Sequence, residues 1–299
     1  MALTILPTCS ASPDVGSTGK VQWERSLPTG LLSSKKTHKP IFALFQEVPG
    51  CAGCRQFGRE VLGNPLLVDI IEIEFVPLLI HNNEAGADAA VLAKYGEPAW
   101  NFQVVRFFNE QGQDLIPRQD RVWETGPLAA RMIAALQAAK RPVPPALSLL
   151  EAEHSSRLLK AVFTMGCFWT GEMSLGQIEG VITTEAGFHQ GREVTLVRYD
   201  PNVITLPKLI TAAEKVACAQ AVHVPAADLA AAQAARLKVG TIVDYRPAPS
   251  SDQKKQLQQT IIAKLNLQGA QATKVNAWYR VDAAKALRCL TANQLGILK

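Results

Sequence analysis

The sequence lacks features that would assign it to a membrane, a secretory pathway or a nucleic acid. No apolar run approaches the ~18 residues that a membrane-spanning helix needs. No basic region precedes the short apolar stretch at residues 2–7, so no signal peptide is predicted. The net charge is only +5 and the basic residues are scattered, unlike a nucleic-acid-binding surface. We therefore expect a cytoplasmic protein with no membrane and no nucleic-acid partner.

Cysteine is also scarce, with six residues in 299, which is too few for a disulfide scaffold. This usage fits a reducing compartment and catalytic thiols. The length suits two domains of about 140 residues each. We predict a flexible tail at 1–22, a first domain at 23–140, a Pro-rich linker with a short helix at 141–157, and a second domain at 158–299.

The patterns of both halves alternate between strands and helices. In the first half we predict strands at 39–46 and 75–80, a hairpin of 104–109 with 115–116, and helices at 51–62, from Asn64 and at 127–140. Pro77 indicates that its strand lies at an edge or a bulge. In the second half we predict strands at 160–165, 181–188, 193–199, 241–245 and around Trp278, and helices at 167–178, 207–219, in pieces over 216–237, at 250–265 and from Asp282. The fold classes are α/β and α+β.

The first candidate site is Cys51-Ala52-Gly53-Cys54, which follows an apolar run and begins a helical pattern. The amide groups at a helix N-terminus favour a thiolate, and a second thiol one turn later can resolve a mixed disulfide. The alternative is a pair of zinc ligands. Zinc normally takes four ligands, and no second pair lies nearby in the sequence. The sequence favours redox chemistry without a cofactor, and it leaves open a metal such as copper at the thiolates.

This region resembles the thioredoxin-like proteins over about 23–140. The resemblance rests on the Cys-x-x-Cys motif, Lys39-Pro40-Ile41-Phe42, Asn64-Pro65 and Phe75-Val76-Pro77. It implies that Cys51 attacks disulfides and Cys54 resolves them. Members of this class place a cis-proline just before the strand predicted here at 104–109. This chain has no proline there, so either Pro98 takes that role or the substrate cleft differs.

The second candidate site is Gly166-Cys167-Phe168-Trp169, which also lies between an apolar run and a helical pattern. The tetrapeptide alone is equally compatible with a buried cysteine in an aromatic cluster. Together with Glu172, Gly187-Phe188 and Tyr199-Asp200-Pro201, however, it resembles the peptide methionine sulfoxide reductases of the A type. The resemblance is good over about 158–215 and weak beyond, and it implies a ferredoxin-like α/β domain.

That resemblance implies a role for each matching residue. Cys167 would attack the sulfoxide sulfur, and Phe168, Trp169 and Phe188 would hold the substrate. Glu193, six residues before Tyr199, would protonate the sulfoxide oxygen. Cys218 and Cys289 are the candidate resolving thiols, and burial without a function is the alternative for each.

The chain departs from this family at the groups that bind the oxygen. Only four residues separate Phe188 from Glu193, so a long loop with its tyrosine is missing. The family's Gly-Thr-Gln-Tyr-Arg-Ser stretch is placed at 237–242, where no tyrosine occurs. Each lost donor would cost about 3 kcal/mol in the transition state. His189 and Arg192 are the candidates for replacing them.

Three functions remain open at this point. The first is a self-recycling enzyme that reduces methionine sulfoxide at Cys167 and is recycled by Cys51 and Cys54. The second is a thiol oxidase, or a disulfide or peroxide reductase, using the same cysteines. The third is a thiol–disulfide oxidoreductase whose second domain only recruits a partner. The expected partners are an oxidised sulfur substrate or protein disulfide, and a thioredoxin or glutathione-type electron donor.

Overall fold

The computed structural model describes residues 15–100, 102–215, 219–233 and 236–299. The chain divides into two compact units. The first extends to Glu124 and includes Ala134–Lys140, and the second contains Thr125–Ile133 and Arg141–Lys299. Residues 125–133 belong to the second unit although the first predicted domain includes them, and the predicted domain bounds stay a prediction. Among the described residues, no helix combines the length and apolar character needed to cross a bilayer.

The first unit contains a three-stranded sheet and surrounding helices. Its strands are β1 (Ile41–Gln46), β2 (Val76–His81) and β3 (Val104–Phe108). Its helices are α1 (Val15–Thr18), α2 (Leu27–Thr37), α3 (Ala52–Glu60), α4 (Pro65–Glu74) and α5 (Ala87–Tyr95), and α6 (Thr125–Ala138) follows them in the chain.

Strand β1 is the centre of this sheet, whose order is β2-β1-β3. It pairs parallel to β2 and antiparallel to β3, and all six of its residues are buried. Apolar side chains fill both faces of a central strand, which explains the unbroken run that the sequence shows there. Pro77 lies in the edge strand β2, as predicted. The C-terminal end of β1 leads directly to Cys51.

Three predictions for this unit need correction. The hairpin after β3 is reduced to one bridge, between Phe108 and Asp114. Helix α5 was not predicted. Residues 15–22, assigned to the flexible tail, contain α1, where Ser17 is fully buried and its carbonyl accepts from Gln46 Nε2 at 2.7 Å. The sequence of residues 15–22 shows no apolar pattern because Ser17 is held by hydrogen bonds, including one from the Gly50 amide to its Oγ at 3.0 Å.

The second unit contains a six-stranded sheet and its helices. The strands are β4 (Leu159–Met165), β5 (Val181–His189), β6 (Arg192–Tyr199), β7 (Ala219–Val224), β8 (Lys238–Thr241) and β9 (Tyr245–Pro247). The helices are α7 (Pro145–Glu153), α8 (Phe168–Gly176), α9 (Leu206–Lys215), α10 (Leu229–Ala232), α11 (Gly269–Trp278), α12 (Ala283–Leu287) and α13 (Ala292–Ile297).

The sheet order is β8-β7-β4-β6-β5-β9, with β7 and β8 parallel and the other pairs antiparallel. One face carries the core formed with α8 and α9, which includes Phe163, Val197, Leu175 and Ile210. Strands β5 and β6 are joined by Gln190 and Gly191, both at positive φ (50° and 74°). That conformation matches the twist of a two-residue hairpin and favours glycine.

The sequence predictions for the second unit fail mainly after residue 215. Strand β7 lies inside the Ala-rich stretch predicted as helical, because Val222 and Val224 pack in the core and β7 pairs with β4. Residues 250–265 form only short 3-10 turns at Ser250–Asp252 and Ile261–Leu265. Trp278 ends helix α11 rather than lying on a strand. The predicted strand at 241–245 is interrupted between β8 and β9.

Candidate active sites around Cys51 and Cys167

Cys51 is the N-cap residue of α3, as the sequence predicted. Its Sγ accepts the backbone N–H of Cys54 at 3.4 Å. The two sulfur atoms are 3.0 Å apart, close enough for one thiol to donate to the other. Cys51 is partly exposed, whereas Cys54 is fully buried. The pair therefore has one accessible sulfur and one sheltered behind it.

The two thiols differ strongly in acidity. Burial acts to raise the pKa of Cys51, but hydrogen bonds from the Cys54 thiol and from the amides of Cys54 and Gly53 outweigh it, so this pKa is lowered. Burial and the hydrogen bond and charge of Cys51 raise the pKa of Cys54 to about 12. Because the thiolate is the nucleophile, this difference in acidity fits the predicted roles of Cys51 as attacking thiol and Cys54 as resolving thiol, which stay predictions.

The region before β3 differs from the thioredoxin-like pattern. Val48–Pro49 is the one cis peptide bond in the described part of the chain, so Pro98 does not follow a cis bond. Strand β3 begins at Val104, opposite Phe45, and this register places Gln103 at the same sheet end as the Cys51 loop. Gln103 is buried with no partner for Oε1, and it lines a cavity of about 330 Å³ with Phe102 and Trp123. The expected cis-proline is therefore absent before β3.

Cys167 lies between β4 and α8, at the N-cap of the helix. It is partly exposed and is a free thiol. Helix α8 approaches β6 closely at Gly171, where an added Cβ would lie only 2.2 Å from Thr195 Oγ1. The same hydroxyl donates to the carbonyl of Phe168 at 3.3 Å. Gly171 in α8 and Thr195 in β6 therefore fix the position of the helix N-terminus, and with it the position of Cys167.

Glu193 lies beside this helix start. Its Oε2 accepts the backbone N–H of Phe168, the residue after Cys167, at 2.9 Å. The short hairpin explains the position, because it pairs Glu193 directly with Phe188 across β5 and β6. A carboxylate at a helix N-terminus is favoured by the helix dipole. The structure thus brings together Cys167, Glu193 and Phe188 as the sequence suggested, although their roles stay predictions.

Three aromatic rings surround the start of α8. The centroid of Phe168 lies 5.6 Å from the centroid of Trp169 and 5.6 Å from that of Phe188. Phe168 also packs on Ala186 in a small apolar cluster. Trp169 Nε1 donates to the carbonyl of Asp252 at 3.0 Å. Phe188 is 38% exposed, so an apolar group of a ligand has access to this cluster.

A buried ion pair holds the segment around Asp252 against α8. Glu172 in α8 is fully buried and accepts from Lys254 Nζ at 2.5 Å and from the Lys254 amide at 2.7 Å. Burial raises the pKa of Glu172, and the charge of Lys254 opposes that shift. Gln253 adds hydrogen bonds in both directions with the backbone of Ala186. Glu172 is therefore a structural residue, and Lys254 is a positioning residue that sequence reasoning missed.

The proposed replacements for the oxygen-binding groups lie on the wrong face of the sheet. His189 and Arg192 form the pair next to Phe188 and Glu193, so their side chains point to the opposite face. His189 packs its ring 4.1 Å from that of His223. Neither His189 nor Arg192 replaces an oxygen-binding group near Cys167.

The first tyrosine after the 237–242 stretch is Tyr245, with three residues between it and Thr241. Tyr245 pairs with His189 and its hydroxyl donates to Glu185 at 2.8 Å, so it also lies on the face opposite Phe188. Burial and Glu185 raise its pKa. Arg246, paired with Phe188, is the cation on the Cys167 face of this strand.

Of the two candidate resolving thiols, Cys289 lies in the described part of the chain. Cys218 lies outside the described residues. Cys289 packs partly buried in a cluster with Leu257, Val275 and Leu290, separate from the Phe168 cluster. Burial raises the pKa of Cys289. A resolving role for either cysteine stays a prediction.

One group of side chains in the described part of the chain has metal-ligand geometry. The ligand atoms of His81, Glu84 and Asp88 lie within 4.8 Å of one another. Asp88, however, already forms an ion pair with Arg25 at 2.9 Å. A cation beside a ligand opposes metal binding, so this group is better explained as an ion-pair network.

Comparison with curated proteins identifies relatives for part of this chain. It is 38% identical to a peptide methionine sulfoxide reductase MsrA of Clostridium perfringens over 68 residues, which is 17% of this chain and 43% of that protein. It is 33% identical over 78 residues to MsrA 1 of Rhizobium meliloti, covering 20% of this chain and 36% of the relative. The chain thus spans less than half the length of these relatives. No family model matches it. The predicted resemblance is confirmed for a part of the chain.

Two solved structures show distant likeness. "DsbH Oxidoreductase" matches 46% of this chain and 95% of its own, with a TM-score of 0.34 and 20% identity. Methionine sulfoxide reductase A of Corynebacterium diphtheriae matches 40% of this chain and 85% of its own, with a TM-score of 0.31 and 16% identity. Both scores are low. The mixed α/β fold classes, which confirm the prediction, rest on the strand orders and registers described above.

Proposed function

We propose that this chain is a thiol-dependent oxidoreductase of a reducing compartment, the cytoplasm, that reduces methionine sulfoxide in peptides at Cys167. The observation that carries the proposal is the hydrogen bond between Glu193 and the amide of Phe168. It sets a carboxyl group next to the cysteine at the start of α8. The sequence similarity to peptide methionine sulfoxide reductases supports the same chemistry.

In this reaction the Cys167 thiolate attacks the sulfoxide sulfur while Glu193 donates a proton to the oxygen. The products are methionine and a sulfenic acid on Cys167, so the oxygen moves to the enzyme. The apolar cluster of Phe168, Trp169 and Phe188 binds the methyl group. A second thiol then displaces water from the sulfenic acid and forms a disulfide.

Recycling is the role we propose for the Cys51–Cys54 pair. The Cys51 thiolate attacks the disulfide of the second unit and forms a mixed disulfide with one of its sulfurs. Cys54 then attacks the Cys51 sulfur, which releases the thiol of the second unit and leaves a Cys51–Cys54 disulfide. Two modules on one chain react at effective concentrations up to the millimolar range. A thioredoxin or glutathione-type thiol then returns the pair to the dithiol state.

The test uses a methionine sulfoxide peptide with dithiothreitol as the reductant. Dithiothreitol makes the assay independent of Cys51 and Cys54. The proposal expects methionine from the native chain and from Cys51→Ser, and none from Cys167→Ser. Equal activity of Cys167→Ser and the native chain would refute the role of Cys167.

A second function is favoured by the unequal acidity of Cys51 and Cys54. An accessible low-pKa thiol in front of a buried high-pKa thiol is suited to reducing protein disulfides, with the second unit recruiting the partner. The Gln103 pocket lies at the same sheet end. Reduction of a model disulfide by Cys167→Ser at the native rate, without sulfoxide reduction by the native chain, would favour this function over the first.

A further inference from the structure

The second unit contains a cavity of about 590 Å³ that the reaction at Cys167 does not use. Pro145 and Leu149 of α7, Lys274 and Trp278 of α11, Lys285 of α12 and the following Cys289 are among the residues that line it. Its volume lies within the range of about 300–1,000 Å³ that is usual for small-molecule sites. The lining combines apolar surface with two cations, one carboxylate and a thiol.

The two lysines have no carboxylate partner among the described residues. Lys274 Nζ donates to the carbonyls of Gly176 at 2.8 Å and Ile178 at 3.5 Å. An ammonium group has three donors, so one remains for a ligand. Burial lowers the pKa of Lys274 to about 8, and the charges of Cys289 and Glu179 act against that shift. Glu179, an exposed residue, also lines the cavity but makes no ion pair with Lys274.

Lys285 is held over an aromatic ring instead of an acid. Its Nζ lies 3.4 Å from the centroid of Trp278, a cation–π contact. This contact fixes the side chain along the cavity wall and leaves the ammonium group without an anion. Two fixed cations at an apolar cavity fit a ligand that carries carboxylate groups on a partly apolar body.

Cys289 adds a reactive atom to the same cavity. Its thiol donates to the carbonyl of Lys285 at 3.7 Å. This hydrogen bond is weak, so it does not prevent the sulfur from taking part in thiol–disulfide exchange. Burial raises the pKa of Cys289, and the charges of Lys274, Arg288 and Lys285 act against that shift. An anionic ligand and a thiolate would therefore both be stabilised by the same cations.

We propose that this cavity binds a small carboxylate-bearing disulfide of the glutathione class, and that Cys289 exchanges with it. The Cys289 thiolate attacks one sulfur of the bound disulfide and forms a mixed disulfide with that half. The other half leaves as a thiolate, so no further oxidant is required. The two lysines bind the carboxylates and hold the disulfide at Cys289. This site is independent of the reaction proposed at Cys167.

The test measures how fast Cys289 is modified in the reduced full-length chain. Glutathione disulfide and the uncharged hydroxyethyl disulfide are compared at equal concentration at pH 7.0, where Lys274 is protonated, and each cysteine is scored by peptide mass spectrometry. Rates in urea-unfolded chain give the intrinsic reactivity toward each disulfide. After this normalisation, we expect Cys289 to react about tenfold faster with glutathione disulfide than with hydroxyethyl disulfide. One hydrogen bond between charged groups strengthens binding by about this factor.

Matched variants show whether the lysines cause the preference. Lys285→Met keeps an apolar side chain against Trp278 and removes the charge, and it should abolish the preference at Cys289. Lys264→Met removes one exposed charge that does not line the cavity, so it should keep the preference. Equal normalised rates for the two disulfides in the native chain would overturn the proposal. So would an unchanged preference in a folded Lys285→Met variant.

Discussion

Replacing Glu193 with glutamine changes one charge and almost no volume. The carboxylate accepts the Phe168 amide at 2.9 Å, and the glutamine oxygen can accept the same donor. A hydrogen bond to a charged group contributes about 1.5–3 kcal/mol, and a neutral one about 0.5–1.5 kcal/mol. We therefore expect the free energy of unfolding to fall by only about 1 kcal/mol, as measured by urea denaturation.

The effect on the reaction should be much larger, because an amide cannot donate a proton to the sulfoxide oxygen. General acid catalysis contributes about 10²–10⁴-fold to a rate. The assay is the single-turnover rate of methionine formation under saturating peptide, followed by rapid quenching. We expect Glu193→Gln to lower this rate by about 100-fold or more, with little change in the peptide concentration for half-saturation.

Glu185→Gln is the matched control for this prediction. Glu185 lies on the neighbouring strand β5 and accepts from the Tyr245 hydroxyl on the opposite face of the sheet. The same chemical change there should cost similar stability and leave the rate unchanged. If Glu193→Gln keeps the native rate, or if both variants lose it equally, Glu193 is only a helix cap.

Three further outcomes follow from the structure. Iodoacetamide should alkylate Cys51 at a lower pH than it alkylates an ordinary cysteine, while Cys54 should stay unmodified until the chain unfolds. Equal labelling of both thiols in the native state would contradict the unequal pKa values. Lys254→Met should lower the free energy of unfolding by about 3–5 kcal/mol, because buried Glu172 loses its cation and must either stay charged without a partner or take up a proton; a change below about 1 kcal/mol would refute this. Gly191→Ala should cost about 1 kcal/mol in urea denaturation, since φ is 74° there, and no loss would show that the turn adapts.

The local arrangement at Cys167 could be predicted from the sequence. Strand β4 is an apolar run ending at Gly166, and the two-residue turn at Gln190-Gly191 sets the pairing of Phe188 with Glu193. Each of these features depends on residues close in the chain. The same is true of Cys51 and Cys54, whose spacing places both at the first turn of α3.

Features that depend on distant residues could not be predicted. Lys254 reaches Glu172 across 82 positions, and Asp252 reaches Trp169 across 83. Strand β7 has a helix-favouring Ala-rich composition, and its pairing with β4 overrides that preference. Only the strand register shows which face of the sheet Tyr245 and Arg246 occupy.

The central claim is that Cys167 reduces methionine sulfoxide and that Cys51 and Cys54 receive the oxidation. The most direct test is a single turnover of the fully reduced chain with a methionine sulfoxide peptide after the reductant is removed. Methionine and disulfides are both quantified by mass spectrometry. With one equivalent of peptide, we expect one methionine per chain together with a Cys51–Cys54 disulfide, and no methionine from Cys167→Ser. No methionine from the native chain, with Cys51–Cys54 oxidised only by an added disulfide, would contradict the account.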